Sequence, residues 1–362
     1  MQATKKFINF FMLFTIFSIY FLLKNFDYFY ETQVLRRRSI FDKTKLLNET
    51  QQINWNMDLF KNENYPINNT YALVFFGRRA QTQILMRYLV KNLKINGGVL
   101  DKIVFAVKTE KKDDLEYLDS IMRQNKTYFK EIRFSNTKNF REVYLAIEDN
   151  DLVFKIDDDI IFISDGTFER MLEEYSKNDH LFLSANIVNH PLLSHVHARM
   201  MAILPYDHVS EFKWMKSTNK SDLDSTECKH GEYGPFSKWW NNPKCTALVH
   251  ESFLYHAKNN ELSVYDFKKW DFHQMGYERW SINFVLMRGV IVNKMKKMFP
   301  NMDDDEIAIS QEMPKILSKH CLSLGSALVV HFSFGPQSEF LQKTNFLEKY
   351  DKLSKFYLKI DL

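Results

Sequence analysis

The chain has 362 residues, of which 45% are hydrophobic, so it is long enough to bury a full-sized core. Its formal net charge is +4, and the 49 basic and 45 acidic residues are interspersed along the chain. This balance argues against a nucleic-acid-binding protein, which would carry a clustered basic face.

An apolar, uncharged segment lies close to the N-terminus, at residues 7–23, between Lys6 and Lys24. It is short for a membrane span, which usually needs about 20 residues. A cleaved signal peptide is the alternative, but no small-residue cleavage site follows the apolar run. We therefore predict an uncleaved single-pass signal-anchor, preceded by a cytosolic tail at residues 1–6. Arginines at residues 36–38 lie beyond the segment and weaken the charge asymmetry that sets orientation.

The segment after the anchor, residues 24–70, is polar and rich in Asn, Lys and Gln, which predicts a stem. A lumenal location for the rest of the chain is favoured by four acceptor sequons, at Asn48, Asn68, Asn125 and Asn219. Two of the three cysteines, Cys228 and Cys245, bracket a segment with many turn residues and could form a disulfide. Cys321 would then remain as a buried thiol.

Strands and helices alternate in the first half of the remaining chain. The patterns predict strands at residues 71–76, 99–107, 130–134 and 152–163, and helices at residues 82–93, 113–124 and 139–148. This alternation is typical of an α/β fold with a mostly parallel sheet flanked by helices. Ligands of such sheets bind beyond the carboxyl ends of the strands, where Gly77-Arg78-Arg79 and Asp157-Asp158-Asp159 occur.

The three consecutive carboxylates at Asp157, Asp158 and Asp159 interrupt an apolar, β-branched run. If the run is one strand, its period of two directs Asp157 and Asp159 to one side and Asp158 to the other. Two carboxylates on one side form a hard oxygen site suited to Mg²⁺ or Mn²⁺. The alternative is a solvated acidic turn between two strands.

The second half of the chain is less regular. Its patterns predict a helix at residues 165–175, a strand at 181–188, an irregular region at 189–240, helices at 246–259 and 280–287, a strand at 328–334 and a helix at 346–357. The irregular region begins with Asn189 and His190, followed by His195 and His197, which follow a strand and could face the site.

These features together resemble a metal-dependent glycosyltransferase of the GT-A fold, in the type II membrane form typical of the Golgi. The similarity covers roughly residues 71–350. It is carried by the anchor and stem, Gly77-Arg78-Arg79, the DxD-type run Asp157-Asp158-Asp159, the acidic cluster at residues 303–306 and the late His331. The chain also resembles a group of eukaryotic glycosyltransferase-like proteins that end in a His-Phe-Ser-Phe-Gly-Pro-Gln type segment, here residues 331–337.

The resemblance implies a GT-A-like glycosyltransferase domain at residues 71–362, with a nucleotide-sugar donor and a divalent metal. Asp157 and Asp159 would flank the metal, and His331 would be a further ligand that favours Mn²⁺ over Mg²⁺. A core histidine is the alternative for His331. The donor would be bound by Gly77, Arg78 and Arg79, with Asp157, Asp158 or Asp159 near the ribose. The alternative is that the two arginines are solvated loop charges.

The acidic cluster precedes an apparent helix, and acidic residues are favoured at a helix N-terminus by the macrodipole. The resemblance implies instead that one of them is the general base on the acceptor hydroxyl, first Asp305, then Asp304 or Glu306. A base there would imply a single inverting displacement.

The predicted protein is thus a membrane-anchored glycosyltransferase of the Golgi or ER, acting on a glycan or glycoprotein and not on nucleic acid. Two alternatives remain open. A metal-dependent phosphoester hydrolase would use the same cluster to activate water, and a glycan-binding membrane protein would keep the fold without turnover.

Overall fold

The computed structural model describes residues 67–133, 141–177, 180–203, 242–274, 276–300, 302 and 304–359. Strands in these ranges are β1 (Asn69–Phe76), β2 (Lys102–Val107), β3 (Phe129–Arg133), β4 (Asp151–Asp157), β5 (Ile160–Ile163), β6 (Leu183–Val188), β7 (Lys269–Asp271), β8 (Phe284–Arg288) and β9 (Leu322–His331). Within the described residues, they form one sheet in the order β3-β2-β1-β4-β8-β6-β9-β5, and β7 pairs with β9. The fold is therefore mixed α/β.

The first four strands are parallel, as the alternation of strands and helices predicted. β2 lies between β1 and β3, and β1 also pairs with β4. The central residues of β1, β2 and β4 are buried, because these strands lie inside the sheet. The register places Phe75 opposite Asp157, so the carboxyl ends of β1 and β4 meet at one edge.

The other half of the sheet is mixed, so the prediction of a mostly parallel sheet holds only from β1 to β4. β8 is antiparallel to both β4 and β6, and β5 and β7 are antiparallel to β9. Only β6 and β9 are parallel in this half. A helix predicted at residues 280–287 is wrong, because its apolar run forms β8 between two buried strands.

A helix follows β8 directly and begins at Gly289. A side chain at this position would clash, since a Cβ would lie 1.6 Å from the carbonyl oxygen of Glu148. Glycine therefore allows the start of this helix to pack against the turn that leads into β4.

Helices in the described ranges are α1 (Arg79–Lys91), α2 (Lys112–Gln124), α3 (Arg141–Tyr144), α4 (Thr167–Lys177), α5 (Leu193–Arg199), α6 (Pro243–Lys258), α7 (Gly289–Met298), α8 (Asp305–Ile307), α9 (Met313–Leu317), α10 (Gly335–Gln342) and α11 (Phe346–Tyr357). A π-helical turn, Ala308–Glu312, joins α8 to α9. The terminal helix α11 has the predicted bounds. The helix predicted at residues 139–148 is only the short α3 in the described part of that range.

The predicted tail, anchor and most of the stem, residues 1–66, lie outside the described residues, as does Cys228. No helix in the described ranges is long and apolar enough to cross a membrane. Cys245 is disulfide-bonded, and Cys321 is a buried free thiol as predicted.

Candidate active site

The chain leaves the sheet directly after Asp157, so the acidic run is not one continuous strand. β4 ends at Asp157, Asp158 and Asp159 form a turn, and β5 begins at Ile160. The prediction that strand alternation orients the three carboxylates is therefore wrong in detail. The alternative of an acidic turn between two strands is right about the turn but wrong about its solvation, because Asp158 is 1% exposed and Asp159 is completely buried.

The register of β5 and β9 brings His331 to this turn. Ile160 lies opposite His331, and the Phe332 amide donates to the carbonyl oxygen of Asp159 at 2.8 Å. The His331 Nε2 atom lies 3.2 Å from Asp159 Oδ2. Asp157, Asp159 and His331 each offer one ligand atom, and these atoms lie within 4.8 Å of one another. The structure thus brings together three residues that are 174 positions apart at most (331 − 157).

This donor set fits a divalent cation. It combines two carboxylates with an imidazole, which suits Mn²⁺ better than Ca²⁺ or Mg²⁺. The His331 Nδ1 atom is buried and has no hydrogen-bond partner among the described residues. A buried polar atom without a partner is costly unless a ligand or water satisfies it.

Arg78 connects the acidic turn to the end of β1. Its guanidinium lies 2.6 Å from Asp158 Oδ1 and 2.8 Å from Asp159 Oδ2, and the Gly77 amide donates to Asp158 Oδ2 at 2.6 Å. Burial alone would raise the pKa of Asp159, but His331 and Arg78 outweigh it and hold this pKa below its ordinary value. Burial raises the pKa of Asp158 against the opposing charge of Arg78. The two motifs, both predicted at carboxyl ends of strands, are therefore joined by a charge network between the half-exposed Arg78 and two buried aspartates.

Arg79 has a different environment. Its backbone amide donates to Asp114 Oδ1 at 3.0 Å, and its guanidinium lies 5.7 Å from the ring centroid of Tyr117. The structure therefore pairs Arg78, and not Arg79, with the acidic turn.

A cavity of about 430 Å³ opens beside Arg78, at the starts of α1 and α2 and along α10. Its charged and hydroxyl-bearing lining residues include Arg78, Arg79, Lys111, Asp113, Ser333 and Ser338. Asp157, Asp159 and His331 do not line it. Because Arg78 contacts the acidic turn and also lines the cavity, the two features are neighbours.

The three candidate bases at the start of α8 have different surroundings, whereas Asp303 lies outside the described residues. Asp304 caps the helix by accepting from the Ile307 amide at 3.1 Å, as the helix-dipole alternative predicts. Arg279 pairs with Asp304 at 3.0 Å and with Glu306 at 2.5 Å. Asp305 is 6% exposed and accepts from the Tyr144 hydroxyl at 2.7 Å.

The sequence analysis did not identify Lys155 as part of the site. This lysine is 4% exposed, and its Nζ atom lies 2.5 Å from Asp157 Oδ1 and 3.0 Å from the carbonyl oxygen of Ile282. Burial would lower the pKa of Lys155, but Asp157 and Asp305 outweigh it and raise this pKa. Its position two residues before Asp157, in an apolar strand, was the available signal, since residues two apart share a face.

Asn283 was also missed, because nothing in the local sequence marks it. Its side-chain amide donates to Asp157 Oδ2 at 2.9 Å, and its backbone carbonyl accepts from the Asp157 amide at 2.9 Å. Lys155 and Asn283 therefore hold the two carboxylate oxygens of Asp157 in a defined orientation.

Two of the histidines predicted to face the site have structural roles. His190 Nε2 donates to the Ser281 carbonyl at 3.1 Å, while its Nδ1 accepts from the Leu192 and Leu193 amides at the start of α5. His197 Nε2 lies 2.7 Å from Asn186 Oδ1. Burial lowers the pKa of each imidazole to about 3. Neither ring belongs to the Asp157–Asp159–His331 cluster.

No protein-family model matches the sequence, and no curated protein matches it. Among solved structures, the chain is similar to GalNAc-T7 with UDP, GalNAc and Mn²⁺, at 10% identity and a TM-score of 0.38, over 76% of this chain and 45% of that chain. It is also similar to the 4-diphosphocytidyl-2C-methyl-D-erythritol synthase from Anaerococcus prevotii, at 17% identity and a TM-score of 0.25, over 33% of this chain and 54% of that chain. The matches thus span about half of either neighbour. At these low scores neither likeness carries an argument about activity.

Proposed function

We propose that this protein is a metal-dependent glycosyltransferase that moves a sugar from a nucleotide-sugar donor to a glycan or glycoprotein acceptor. The supporting observation is the cluster of Asp157, Asp159 and His331 at the carboxyl end of β4, next to Arg78 and its cavity. Carboxyl ends of strands are where ligands bind in sheets of this kind. The combination of a divalent-cation site with a cavity that contains Arg78, Arg79 and Lys111, beside Asp113 and Asp114, suits a nucleoside diphosphate.

Asp157, Asp159 and His331 would hold the divalent metal, with Mn²⁺ favoured over Mg²⁺ by the imidazole. When bound, such an ion neutralises charge on a leaving diphosphate as a Lewis acid. Lys155 and Asn283 orient Asp157 for this role, because each holds one of its carboxylate oxygens.

Arg78 is the best-placed donor-binding residue. Its side chain is 42% exposed although its guanidinium pairs with two buried aspartates, so part of it faces the cavity. The planar guanidinium fork matches phosphate oxygens. Asp158 holds the Gly77 amide and the Arg78 side chain, and so shapes the donor-binding loop instead of binding metal.

The acceptor hydroxyl must lose its proton as it attacks the sugar. Burial raises the pKa of Asp305, although Lys155 and the Tyr144 hydroxyl oppose the shift. A higher pKa makes a carboxylate a better proton acceptor. We therefore assign Asp305 as the base, which takes the hydroxyl proton while the new glycosidic bond forms and the bond from the sugar to the diphosphate breaks. This single displacement would invert the anomeric configuration.

The predicted anchor and stem extend the proposal to location. A signal-anchor at residues 7–23 would hold the enzyme in a Golgi or ER membrane with the catalytic domain in the lumen. Sequons and a disulfide-bonded Cys245 are compatible with that compartment.

Thermal unfolding in the presence of UDP, GDP or CMP, each with and without Mn²⁺, tests the proposal. A ligand present at 100 times its dissociation constant stabilises the native state by about 2.7 kcal/mol, a readable shift. We expect one nucleotide to stabilise the protein only with Mn²⁺. Asp159→Ala should abolish that shift, whereas Asp165→Ala, which removes an exposed carboxylate paired with Lys91, should retain it.

Two results would contradict the proposal. Turnover of phosphoesters without any nucleotide-dependent shift would support the hydrolase, and glycan binding that needs neither metal nor nucleotide would support a binding protein. Retention of the Mn²⁺-dependent shift by Asp159→Ala would place the metal elsewhere.

A further inference from the structure

Asn189 lies immediately after β6, where the backbone turns away from β9. The β6–β9 ladder ends with Val188 opposite Val330, and Asn189 has a positive φ of 63°. Asparagine tolerates this left-handed conformation better than most residues. His331, the next residue of β9, therefore lies beyond the last residue pair of this ladder.

Beyond the end of this backbone ladder, the Asn189 side chain forms hydrogen bonds to the neighbouring chain. Its Nδ2 donates to the carbonyl oxygens of His331 and Phe332, at 3.3 Å and 3.0 Å. Asn189 is completely buried, so these bonds form in a low-dielectric environment where a lost partner is costly.

Gln337, on α10, completes the arrangement. Asn189 Nδ2 donates to Gln337 Oε1 at 2.9 Å, and Gln337 Nε2 returns a bond to Asn189 Oδ1 at 3.3 Å. The same Gln337 oxygen accepts from the Phe334 amide at 3.0 Å. This reciprocal pair, which we call the amide clamp (Asn189 and Gln337), closes residues 331–337 into a fixed loop.

The loop held by the amide clamp carries two parts of the site. His331 lies at its start and faces Asp159, while Phe332 and Ser333 line the cavity. The segments at residues 189–190 and 331–337, which are far apart in the sequence, are thus joined by side-chain hydrogen bonds of Asn189.

We propose that Asn189 and Gln337 are positioning residues that hold the backbone at His331 and thereby set the affinity of the metal site. The inference rests on the metal site of the proposed function. The clamp acts through His331 and contacts neither a ligand nor the reacting atoms. Metal affinity is sensitive to such support, because loss of a partner that orients a ligand costs about 10- to 100-fold.

Mn²⁺ titration of the full chain, read from the electron paramagnetic resonance signal of free Mn²⁺, tests the inference without any activity assay. Asn189→Gly removes the amide while retaining a residue that accepts positive φ. We expect the Mn²⁺ dissociation constant to rise about tenfold. Gln337→Leu breaks the clamp from the other side and should have the same effect.

A double-variant comparison separates positioning from general stabilisation. In a His331→Ala background, Asn189→Gly should change the remaining Mn²⁺ affinity by less than about twofold, since the residue through which the clamp acts is gone. The matched control is Asn186→Ala. Asn186 is an equally buried asparagine on β6 that donates to the carbonyls of Tyr265 and Gly325. Its loss should lower thermal stability and leave Mn²⁺ affinity unchanged.

The possible failures are distinguishable. An equal loss of affinity with and without His331, or an equal loss in Asn186→Ala, overturns the positioning role and leaves the metal site standing. A wild-type protein that binds no Mn²⁺ overturns both the inference and the proposed metal site.

Discussion

Acidification should destabilise this protein steeply, because three buried histidines are neutral in the folded state. His190 and His250 hold the carbonyl oxygens of Ser281 and Phe332 beside the candidate site, and His197 bonds to Asn186 in the core. Burial lowers the pKa of each of the three imidazoles to about 3. In the unfolded chain a histidine has a pKa of about 6.5.

The sign follows from these two values. Since the folded pKa lies below the unfolded one, the unfolded state binds more protons as the pH falls, and stability present above about pH 6.5 is lost towards pH 3. Between pH 7 and pH 5 each histidine costs about 2 kcal/mol, or about 6 kcal/mol for the three. Because domains of this kind are stable by about 5–15 kcal/mol, this loss is a large part of the total.

Urea unfolding at pH 7, 6 and 5 in the presence of a chelator measures the effect. In His250→Asn, the loss of unfolding free energy between pH 7 and pH 5 should be smaller by about 2 kcal/mol than in the wild type. This difference is separate from any loss of stability at pH 7. The control is Tyr350→Phe, which removes the hydroxyl bonded to His250 Nδ1 and leaves the imidazole in place. It should be less stable at every pH with the pH dependence retained. A wild-type loss below about 2 kcal/mol between pH 7 and pH 5 would refute the argument from buried neutral histidines.

Two further predictions concern the charges at the site. Lys155→Met should lower the free energy of unfolding in urea by about 3 kcal/mol, because it leaves Asp157 in a largely buried position without its cation. The double variant Lys155→Met, Asp157→Asn should recover part of that loss, and an equal or larger loss would contradict the prediction. Asp305→Asn should retain Mn²⁺-dependent nucleotide binding and lower the rate of sugar transfer about 10²- to 10⁴-fold. The control is Glu306→Gln, which removes a partner of Arg279 and should lower the transfer rate less than about tenfold. Equal rates in the two variants would move the base away from Asp305.

Local sequence patterns correctly predicted those strands and helices whose local preference is also favoured by their tertiary packing. The strand at residues 71–76 and the terminal helix at residues 346–357 form where expected, whereas the Asp-rich run forms two strands with a turn between them. Both correctly predicted segments have a strong apolar pattern of their own, so tertiary packing reinforces the local preference. The run at residues 280–287 failed because its apolar side chains suit either a helix or a buried strand, and only the slot between β4 and β6 selects the strand.

In the candidate site, too, some residues could be predicted from the local sequence and others could not. Residue type and position singled out Asp157 and Asp159 as candidate metal ligands, and the resemblance to a known fold added His331. The pattern could not show that Asn283 holds Asp157, because Asn283 lies just before β8, far from β4 in the sequence. Lys155 lies two residues before Asp157 in the same strand, so its contact was within reach of the local pattern.

The sequence by itself thus determined the α/β class and the candidate residues of the site, because both follow from local composition and residue pattern. The tertiary structure decided which of those residues meet. Asn189 bonds to Gln337 and Arg78 bonds to Asp159 across large sequence separations, through contacts set by strand order and register. Such contacts depend on how β-strands pair, and the side-chain pattern along one segment does not identify which strand pairs with it.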